Sequence, residues 1–341
     1  MNPDLTKMQN RKRVIPVWVL FILSLFMPLY FGGAEYPMML CCTIELYIVA
    51  VSGLDILFGY SGQISLGHAA FYAIGAYVSG LMRNYFGLPV LMTMILASVI
   101  AAAVGALLAI PASKLVFHFL SLATVAFGEI IYQVLVHSPG GITGDFYGMF
   151  SDQLTIFGYT FTSYKMWYYF GLACVVIFLL AKWFLVHSKT GRAFTAIREN
   201  SHAANGMGIN VRRYKVMAFA TSAFYTAFAG AMYMHLIGFV HPDTFVRKQS
   251  VLFLTMLLFG GTGSLFGPIV GVITVEMLIE SLRSLQDYQS FVYGILLLIV
   301  IVALPGGLYG GLRDIWNIIL RKLGKGPGPG SKEVSVHADN G

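Results

Sequence analysis

The hydrophobic positions of this chain form long, almost continuous runs, separated by short polar or glycine-rich stretches. A helix needs about 20 apolar residues to cross a hydrocarbon core of about 30 Å, and several runs approach that length. Their continuity excludes the alternating pattern of a membrane β-barrel, so helices must satisfy the backbone polar groups in lipid. The pattern predicts an all-α protein with about ten helical segments, at residues 14–32, 36–58, 65–82, 88–110, 120–137, 166–186, 216–238, 250–259, 268–282 and 291–304.

Composition indicates that these helices lie in a membrane. Hydrophobic residues make up 57% of the 341 residues and charged residues only 11%, whereas a soluble domain carries about 25% charged residues. The first segment, residues 14–32, resembles the hydrophobic part of a signal peptide, but no A-x-A-like cleavage site follows it. We therefore interpret this segment as a retained first span of a polytopic membrane protein.

Lysine and arginine are concentrated in three places: the tail before residue 14, the stretch 182–215 and the region after residue 304. Because these residues stay on the cytoplasmic side of membrane proteins, all three places and both termini are predicted to be cytoplasmic. A single span within residues 250–282 would place the basic region after residue 304 outside the cell. The prediction therefore requires two segments within residues 250–282. The formal net charge of +7 reflects this topology and contact with anionic lipid, and nothing indicates a nucleic-acid surface.

Sequence motifs for catalysis and cofactor binding are largely absent. Cys41, Cys42 and Cys174 lie inside apolar segments, which indicates neither disulfides nor a metal site. No G-x-x-x-x-G-K-[ST] motif is present, so the chain is not expected to bind ATP through a P-loop. The K-T-G triplet at residues 189–191 lacks the partner motifs of penicillin-binding enzymes. We expect a chain that is not an enzyme and that holds no cofactor or metal.

Several ionisable residues stand inside the predicted segments: Glu45, Asp55, His68, Glu129, Glu276 and Glu280. A charge facing lipid costs several kcal/mol, so such side chains usually face the bundle interior or a water-filled route. Two interpretations stay open, namely contacts to a substrate or proton, and hydrogen bonds between helices. Glu129, in "TVAFGEII", is the most interesting of them because Gly128 beside it lets another backbone approach closely.

Two glycine-rich blocks interrupt apolar segments. "GYSG" at residues 59–62 and "GGTG" at residues 260–263 both fit G-x-[ST]-G, and each is followed a few residues later by another glycine. This weak internal repeat is typical of broken helices that expose backbone groups to a transport route. Close helix packing is the other interpretation, because Gly263, Gly267 and Gly271 form a small-xxx-small series, and both interpretations can hold.

A long polar loop at about residues 187–215 reads "HSKTGRAFTAIRENSHAANGMGINVRRYK". It predicts one short helix from Gly191 to about Glu199 and a second from Ser201 to about Met207, which glycines terminate. The loop is too polar to cross a membrane. It has the pattern of a docking element for a cytoplasmic partner, and a solvated connector between spans is the alternative.

The order of several blocks resembles one known family. The blocks "GYSGQISLGHAAFYAIGAY", "TVAFGEI", "GRAFTAIREN", "GFVHPDTF" and "GGTGSLFGPIVG" look like successive signatures of the permease subunit of branched-chain amino acid ABC importers. The resemblance implies a permease fold of the vitamin B12 importer type in the bacterial cytoplasmic (inner) membrane. It also implies a second homologous permease, two cytoplasmic ATP-binding cassette subunits that bind the ATP, and an extracytoplasmic substrate-binding protein.

The resemblance carries roles onto matching positions. The residues that match the ATPase-coupling loop are Gly191, Arg192, Ala193, Ala196, Ile197, Arg198, Glu199, Ala203, Ala204 and Gly208. The candidates for the translocation route or for helix packing are Gly59, Gly62, Gln63, Ser65, Gly67, His68, Glu129, Gly260, Gly261, Gly263, Ser264 and Gly267. Gly206 and Met207 depart from a more helix-favouring family pattern, which leaves the length of the second coupling helix open.

We therefore expect a permease half that alternates access while partner subunits hydrolyse ATP. It would comprise a cytoplasmic tail (1–13), a transmembrane domain (14–312) and a largely disordered cytoplasmic tail (313–341). An importer of urea or short amides is an alternative within this class. A proton-coupled secondary transporter that uses Glu129, Asp55 and His68 is an alternative from another class, and a structural subunit of a respiratory complex is a third.

Overall fold

The computed structural model describes residues 27–28, 34–112, 117–156, 159–284 and the single positions 292, 294, 295, 298, 307 and 308. Both predicted tails, most of the predicted first span and most of the segment 291–304 lie outside the described residues. The chain divides into two compact units, Met1–Thr255 and Met256–Gly341. Each unit is described by itself below.

The described residues form ten α-helices. They are α1 Glu35–Asp55, α2 His68–Phe86, α3 Val90–Ala112, α4 Phe117–Val136, α5 Tyr164–His187, α6 Lys189–Glu199, α7 Ser201–Gly206, α8 Val211–Ile237, α9 Arg247–Gly260 and α10 Gly267–Ser281. Five stretches of described helix are long and apolar enough to cross a membrane: Glu35–Tyr60, Val90–Pro111, Phe119–Val136, Tyr164–His187 and Val211–Ile237. The predicted class, an all-α polytopic membrane protein, is confirmed.

Three predicted segments are helices without the properties of a full span. Helix α2 is long enough, but its histidine, glycines, serine and Arg83 lower its mean hydropathy below that of the five spans. Helices α9 and α10 have 14 and 15 residues, fewer than the roughly 20 that cross a hydrocarbon core. The predicted division of residues 250–282 into two segments corresponds to these two short helices.

Helix α8 packs against α1, α2 and α3 in the first unit. The contact with α2 is backbone to backbone, because Gly75 lies against the carbonyl of Ala227 and Gly230 lies against the carbonyl of Tyr72. A Cβ atom at either glycine would clash with a main-chain oxygen, so small residues set this helix spacing.

Short strands and turns occupy the connections at one end of α5 and α8. Strand β1 (Met149–Phe150) pairs antiparallel with β4 (Phe239–Val240), and β2 (Thr155–Ile156) pairs with β3 (Tyr159–Thr160). The 3-10 turns are Pro139–Gly141, Asp145–Tyr147 and Pro242–Phe245. Because β1 precedes α5 and β4 follows α8, the β1–β4 ribbon and the α6–α7 loop lie at opposite ends of these two helices.

In the second unit, close packing explains part of the second glycine block. Gly271 of α10 lies against the carbonyl of Met256, and Gly260 lies against the carbonyl of Gly267. Gly263 has a φ of 69° and stands in the turn between the helices. The small-xxx-small interpretation therefore fits Gly267 and Gly271, whereas Gly263 provides a left-handed backbone conformation.

Candidate functional site

The first glycine block breaks a helix. Helix α1 continues into a π-helical turn, Ile56–Tyr60, in which Gly59 lies, and residues 61–67 are not helical. Gly62 adopts a φ of 69°, which glycine tolerates better than other residues. A π turn inside an apolar helix is frequent at functional sites, and a broken apolar segment is typical of transport routes.

The end of this break contacts two other helices. The backbone N–H of Leu66 donates to Thr124 Oγ1 of α4 at 3.0 Å, and Gly67 lies against the Thr124 carbonyl. The N–H of Ala69, in the first turn of α2, donates to Ser250 Oγ of α9 at 2.8 Å. The break thus brings the start of α2, the middle of α4 and the start of α9 together.

His68 and Gln63 are buried in hydrogen-bond networks. The two ring nitrogens of His68 lie 2.9 Å from Ser65 Oγ and 2.7 Å from Ser222 Oγ, and Ser222 is near the middle of α8. Gln63 Nε2 donates to Ser61 Oγ at 2.7 Å and to the carbonyl of Lys215 at 3.3 Å. These contacts hold the break in one conformation, because a buried polar group left without a partner is costly.

The second block has a similar local geometry. Gly261 and Gly263 have φ values of 100° and 69°. Ser264 Oγ accepts a 2.8 Å hydrogen bond from the N–H of Gly267, where α10 begins, as Ser65 Oγ accepts one of 3.4 Å from Gly67 before α2. Both blocks therefore combine a left-handed glycine with a serine whose Oγ accepts a backbone N–H hydrogen bond where the next helix begins, which supports the internal repeat.

The polar loop forms the two predicted short helices. Ser188 Oγ accepts from the N–H groups of Thr190 and Gly191, so α6 begins at Lys189 and not at Gly191. Asn200 caps α7 in the same way through the N–H groups of His202 and Ala203. Helix α7 ends at Gly206, one residue before the predicted end.

The matched coupling residues separate into two faces. Those turned inward are Gly191, Ala193, Ile197 and Ala204, together with Phe194. Those turned outward are Arg192, Glu199, Ala203 and Gly208, and Ala196 is half-buried between the faces.

Arg198 links the coupling loop to the first glycine block. Its Nη1 donates a hydrogen bond to the carbonyl oxygen of Gly59 in the π turn. A Cβ atom built on Gly62 would lie only 3.0 Å from Cγ of Arg198. The sequence placed Arg198 and Gly59 in two separate motifs, and only the fold shows that they are in contact.

A buried ion pair lies immediately before the π turn. Lys182 Nζ of α5 is 2.7 Å from Asp55 Oδ2 of α1, and neither side chain is exposed to solvent. The same Nζ lies 5.8 Å from the ring centroid of Tyr60. Counting Lys182 among the basic residues of the cytoplasmic stretch was wrong, because α5 continues to His187 and buries Lys182 inside the bundle.

Glu129 is exposed on the surface of α4. Its Oε1 accepts a 3.0 Å hydrogen bond from Gln133 Nε2, and His137 follows four residues later on the same face. The alternative of a proton-coupled secondary transporter uses Glu129, Asp55 and His68. The hydrogen bonds and ion pairs given above hold each of the three with a different set of residues, so they do not support a relay.

Glu45 has an unusual environment that the sequence did not indicate. It is 5% exposed, and its two carboxyl oxygens have no hydrogen-bond partner among the described residues. It lies against Gly171 of α5, where a larger residue would collide with the carboxyl group. No group of three or more His, Cys, Asp or Glu side chains in the described part of the chain could hold a metal ion.

Apolar helices long enough to span a membrane, two glycine-broken segments and a polar helical loop define a multi-pass membrane permease. The family model described as "Branched-chain amino acid transport system / permease component" matches residues 37–301. The chain belongs to this family, and it is a permease subunit of the ABC importer class.

Named relatives agree with this assignment. The chain is 32% identical over 287 residues to the "High-affinity branched-chain amino acid transport system permease protein LivM" of Escherichia coli K12, which covers 77% of this chain and 67% of the relative. It is 24% identical to the probable LivM of Methanocaldococcus jannaschii, over 77% and 89% of the two chains. The "Autoinducer 2 import system permease protein LsrC" of an Enterobacter species is 29% identical over 39% of this chain and 41% of its own. No solved structure matches the chain.

Proposed function

We propose that the chain forms half of the transmembrane route of an importer for branched-chain amino acids in the bacterial cytoplasmic membrane. Its partners are a second homologous permease, two cytoplasmic ATP-binding cassette subunits and an extracytoplasmic substrate-binding protein. The partner subunits bind the ATP, so this chain needs no cofactor. One observation carries the proposal: the helical loop α6–α7 has an outward face for a partner and an arginine that contacts the break after α1.

The distribution of charge supports the orientation. The α6–α7 loop and the start of α8 carry Lys189, Arg192, Arg198, Arg212, Arg213 and Lys215. At the other end of α5 and α8, residues 138–163 and 238–246 contain no lysine or arginine, and Lys165, Arg247 and Lys248 follow within two residues of them. Because cytoplasmic connections are rich in these residues, the loop faces the cytoplasm and the β1–β4 ribbon faces outward. The same rule assigns both basic tails to the cytoplasm.

The outward face of α6–α7 is the docking surface for the ATPase. Helix α6 anchors its apolar face on its own chain through Phe194 and Ile197, which are buried. This leaves Arg192, Ala196 and Glu199 available to a partner. A rigid, capped helix that enters a groove on another protein loses little conformational freedom on docking.

Arg198 then transmits movement of α6 to the membrane helices. Its guanidinium holds the carbonyl of Gly59 in the π turn. The turn is fixed on its other side by α1, which the buried Lys182–Asp55 pair ties to α5. A shift of α6 would therefore act directly on the break between α1 and α2. This broken segment is the one that we propose moves when the transport route opens.

The exposed face of α4 supports a paired permease. Only 17% of the residues in its apolar window are buried within this chain. Glu129, Gln133 and His137 lie at helical spacing on that open surface, and a charged group facing lipid costs several kcal/mol. We infer that this polar stripe faces the second permease and the route between the subunits, in an assembly of the vitamin B12 importer type.

Substitution of Ala196 tests the docking surface. An indole at this half-buried position overpacks the contact at a cost of about 1–3 kcal/mol, or roughly five- to a hundred-fold in occupancy. We expect Ala196→Trp to weaken co-purification of the ATPase subunits with the permease. Ala103→Trp, on the exposed side of the apolar helix α3, is the matched control and should co-purify normally.

Arg198→Gln in the same experiment separates docking from transmission. It removes the hydrogen bond to Gly59 and leaves the outward face of α6 unchanged, so the ATPase should remain bound while amino-acid uptake falls. Normal co-purification and normal uptake by both Ala196→Trp and Arg198→Gln would contradict the coupling role of this loop.

A further inference from the structure

A pocket of about 390 Å³ lies where the start of α2, the middle of α4 and the start of α9 meet. Its size falls within the range of about 300–1,000 Å³ that is usual for small-molecule sites. The charged lining residues are Glu129 of α4 and Arg247 and Lys248 at the start of α9. Leu66, Val125 and Phe245 supply apolar surface.

The charges in this pocket are available to a ligand. Among the residues that the structure describes, none forms an ion pair with Arg247 or Lys248, and Glu129 accepts a hydrogen bond from the neutral amide of Gln133. Both signs of charge therefore line one small space, and no direct ion pair joins them among the described residues. A ligand that carries both a cation and an anion would pair with both sides.

The two cations lie at the β1–β4 end of the helices, close to a connection without basic residues. Lysine and arginine are absent from residues 138–163 and 238–246, which lie at the β1–β4 end of the helices. Arg247 and Lys248 come directly after the second of these segments. Arg83, which pairs with Asp152, and Lys165, in the first turn of α5, also lie at this end, and of these four basic residues only Arg247 and Lys248 line the pocket.

We propose that this pocket binds the zwitterionic head of an α-amino acid on its way through the membrane, an inference that rests on the proposed function. The carboxylate pairs with Arg247 and Lys248 at the start of α9, where the backbone N–H groups also favour an anion. The ammonium group pairs with Glu129. The hydrophobic side chain contacts Leu66, Val125 and Phe245.

This charge arrangement selects between substrate classes. Urea and short amides are neutral, so they would form no ion pair with Glu129, Arg247 or Lys248. A branched-chain amino acid supplies one charge of each sign and an apolar side chain. The pocket therefore assigns an amino acid, and not an amide, to this permease.

The test uses the complete importer in proteoliposomes, with its second permease, ATPase subunits and binding protein. Uptake of radiolabelled L-leucine is measured for Glu129→Gln and for the double variant Arg247→Gln/Lys248→Gln. Loss of one charged hydrogen bond corresponds to about a ten- to hundred-fold effect, so we expect leucine uptake to fall by about that factor. Hydrolysis of ATP stimulated by leucine-loaded binding protein should persist, because the coupling loop is unchanged.

Matched variants control for charge and folding. Arg247→Lys keeps the positive charge and should retain most of the uptake. Arg83→Gln removes a cation of a partly exposed ion pair with Asp152, far from the pocket lining, and should transport normally. All three tested side chains are exposed, so co-purification of the complex should be the same for each variant.

The possible results distinguish failure of the proposed binding pocket from failure of the proposed importer function. Uptake within twofold of wild type by Glu129→Gln and by the double variant, in a wild-type complex that transports leucine, would overturn the pocket and leave the importer function intact. A wild-type complex that takes up urea and no amino acid would overturn the zwitterion assignment. A wild-type complex whose ATP hydrolysis is not stimulated by leucine-loaded binding protein would overturn the proposed function itself.

Discussion

At the scale of single residues, glycines serve two different physical purposes. Gly75 and Gly230 let α2 and α8 approach until their backbones touch. Gly62 instead adopts a φ of 69° in the break after α1 and leaves room for Arg198. A methyl group added at Gly75 or Gly230 would clash with a neighbouring backbone, whereas a methyl group added at Gly62 would mainly strain its own backbone.

We expect Gly62→Ala to destabilise the protein, because a left-handed conformation costs a residue with a Cβ about 1–2 kcal/mol. The new methyl group would also press on Cγ of Arg198 at 3.0 Å. The measurement is the thermal unfolding midpoint of the purified permease in detergent. Gly206→Ala is the control, because no atom lies within 4 Å of the added carbon. Equal midpoints for the two variants would show that the backbone conformation at residue 62 does not require glycine.

The sequence indicated which residues stand at the helix break, but it did not indicate the hydrogen bonds that they form. Gly62, Gln63, Ser65 and His68 were assigned to a route or to packing because they interrupt an apolar run. The structure places His68 and Gln63 in buried hydrogen-bond networks that fix the break. Their partners include Ser222 and Lys215, more than 100 positions away in the sequence, and a local pattern cannot supply such pairs.

At the scale of elements, the ends of the helices could be predicted from the local sequence, whereas the contacts between helices could not. The first coupling helix was predicted from Gly191 and begins two residues earlier, after its N-cap Ser188, and the second begins at the predicted Ser201, after its N-cap Asn200. The "GYSG" block indicated an interruption at the π turn Ile56–Tyr60, but no local pattern distinguishes a π turn from an ordinary helix end. The Lys182–Asp55 pair was missed for a related reason, since each residue appeared as an isolated charge near the end of a predicted segment.

The ion pair between α1 and α5 gives a prediction at this scale. Lys182→Met leaves the carboxylate of Asp55 buried without its cation, which typically costs about 3–5 kcal/mol. We expect a much lower thermal unfolding midpoint and a lower yield in the membrane. The double variant Asp55→Asn/Lys182→Met removes both charges and should recover most of the lost stability.

Lys189→Met, at an exposed position of α6, controls for the loss of one positive charge near the same helix end. It should unfold at the wild-type temperature. Additive effects of Asp55→Asn and Lys182→Met in the double variant would mean that the two side chains do not stabilise each other.

At the scale of the whole molecule, the orientation in the membrane is a prediction that rests on the sequence. The positive-inside rule needs only the count of lysines and arginines in each connection, and the absence of both from residues 138–163 survives the correction at Lys182. The pocket beside Glu129 needed the fold. Its lining comes from α2, α4 and α9, which lie far apart in the sequence and meet only because Gly67 allows α4 to approach the break.

Orientation is tested with two cysteines of matched exposure. Tyr147, in the connection before α5, is 86% exposed, and Met207, after α7, is 85% exposed. Helix α5 is the one candidate span between them among the described residues, so the two positions should lie on opposite sides of the membrane. The native cysteines Cys41, Cys42 and Cys174 are buried and should give little background.

We expect a membrane-impermeant maleimide to label Tyr147→Cys in spheroplasts, and to label Met207→Cys only after the membrane is permeabilised. The physical reason is that connections rich in lysine and arginine are retained in the cytoplasm, as we propose for the α6–α7 loop, whereas connections without them are translocated. The wild-type chain, treated in the same way, measures background labelling. The reverse pattern would place the coupling loop outside the cell, where no ATPase subunit could reach Ala196, and would therefore refute the coupling mechanism together with the topology.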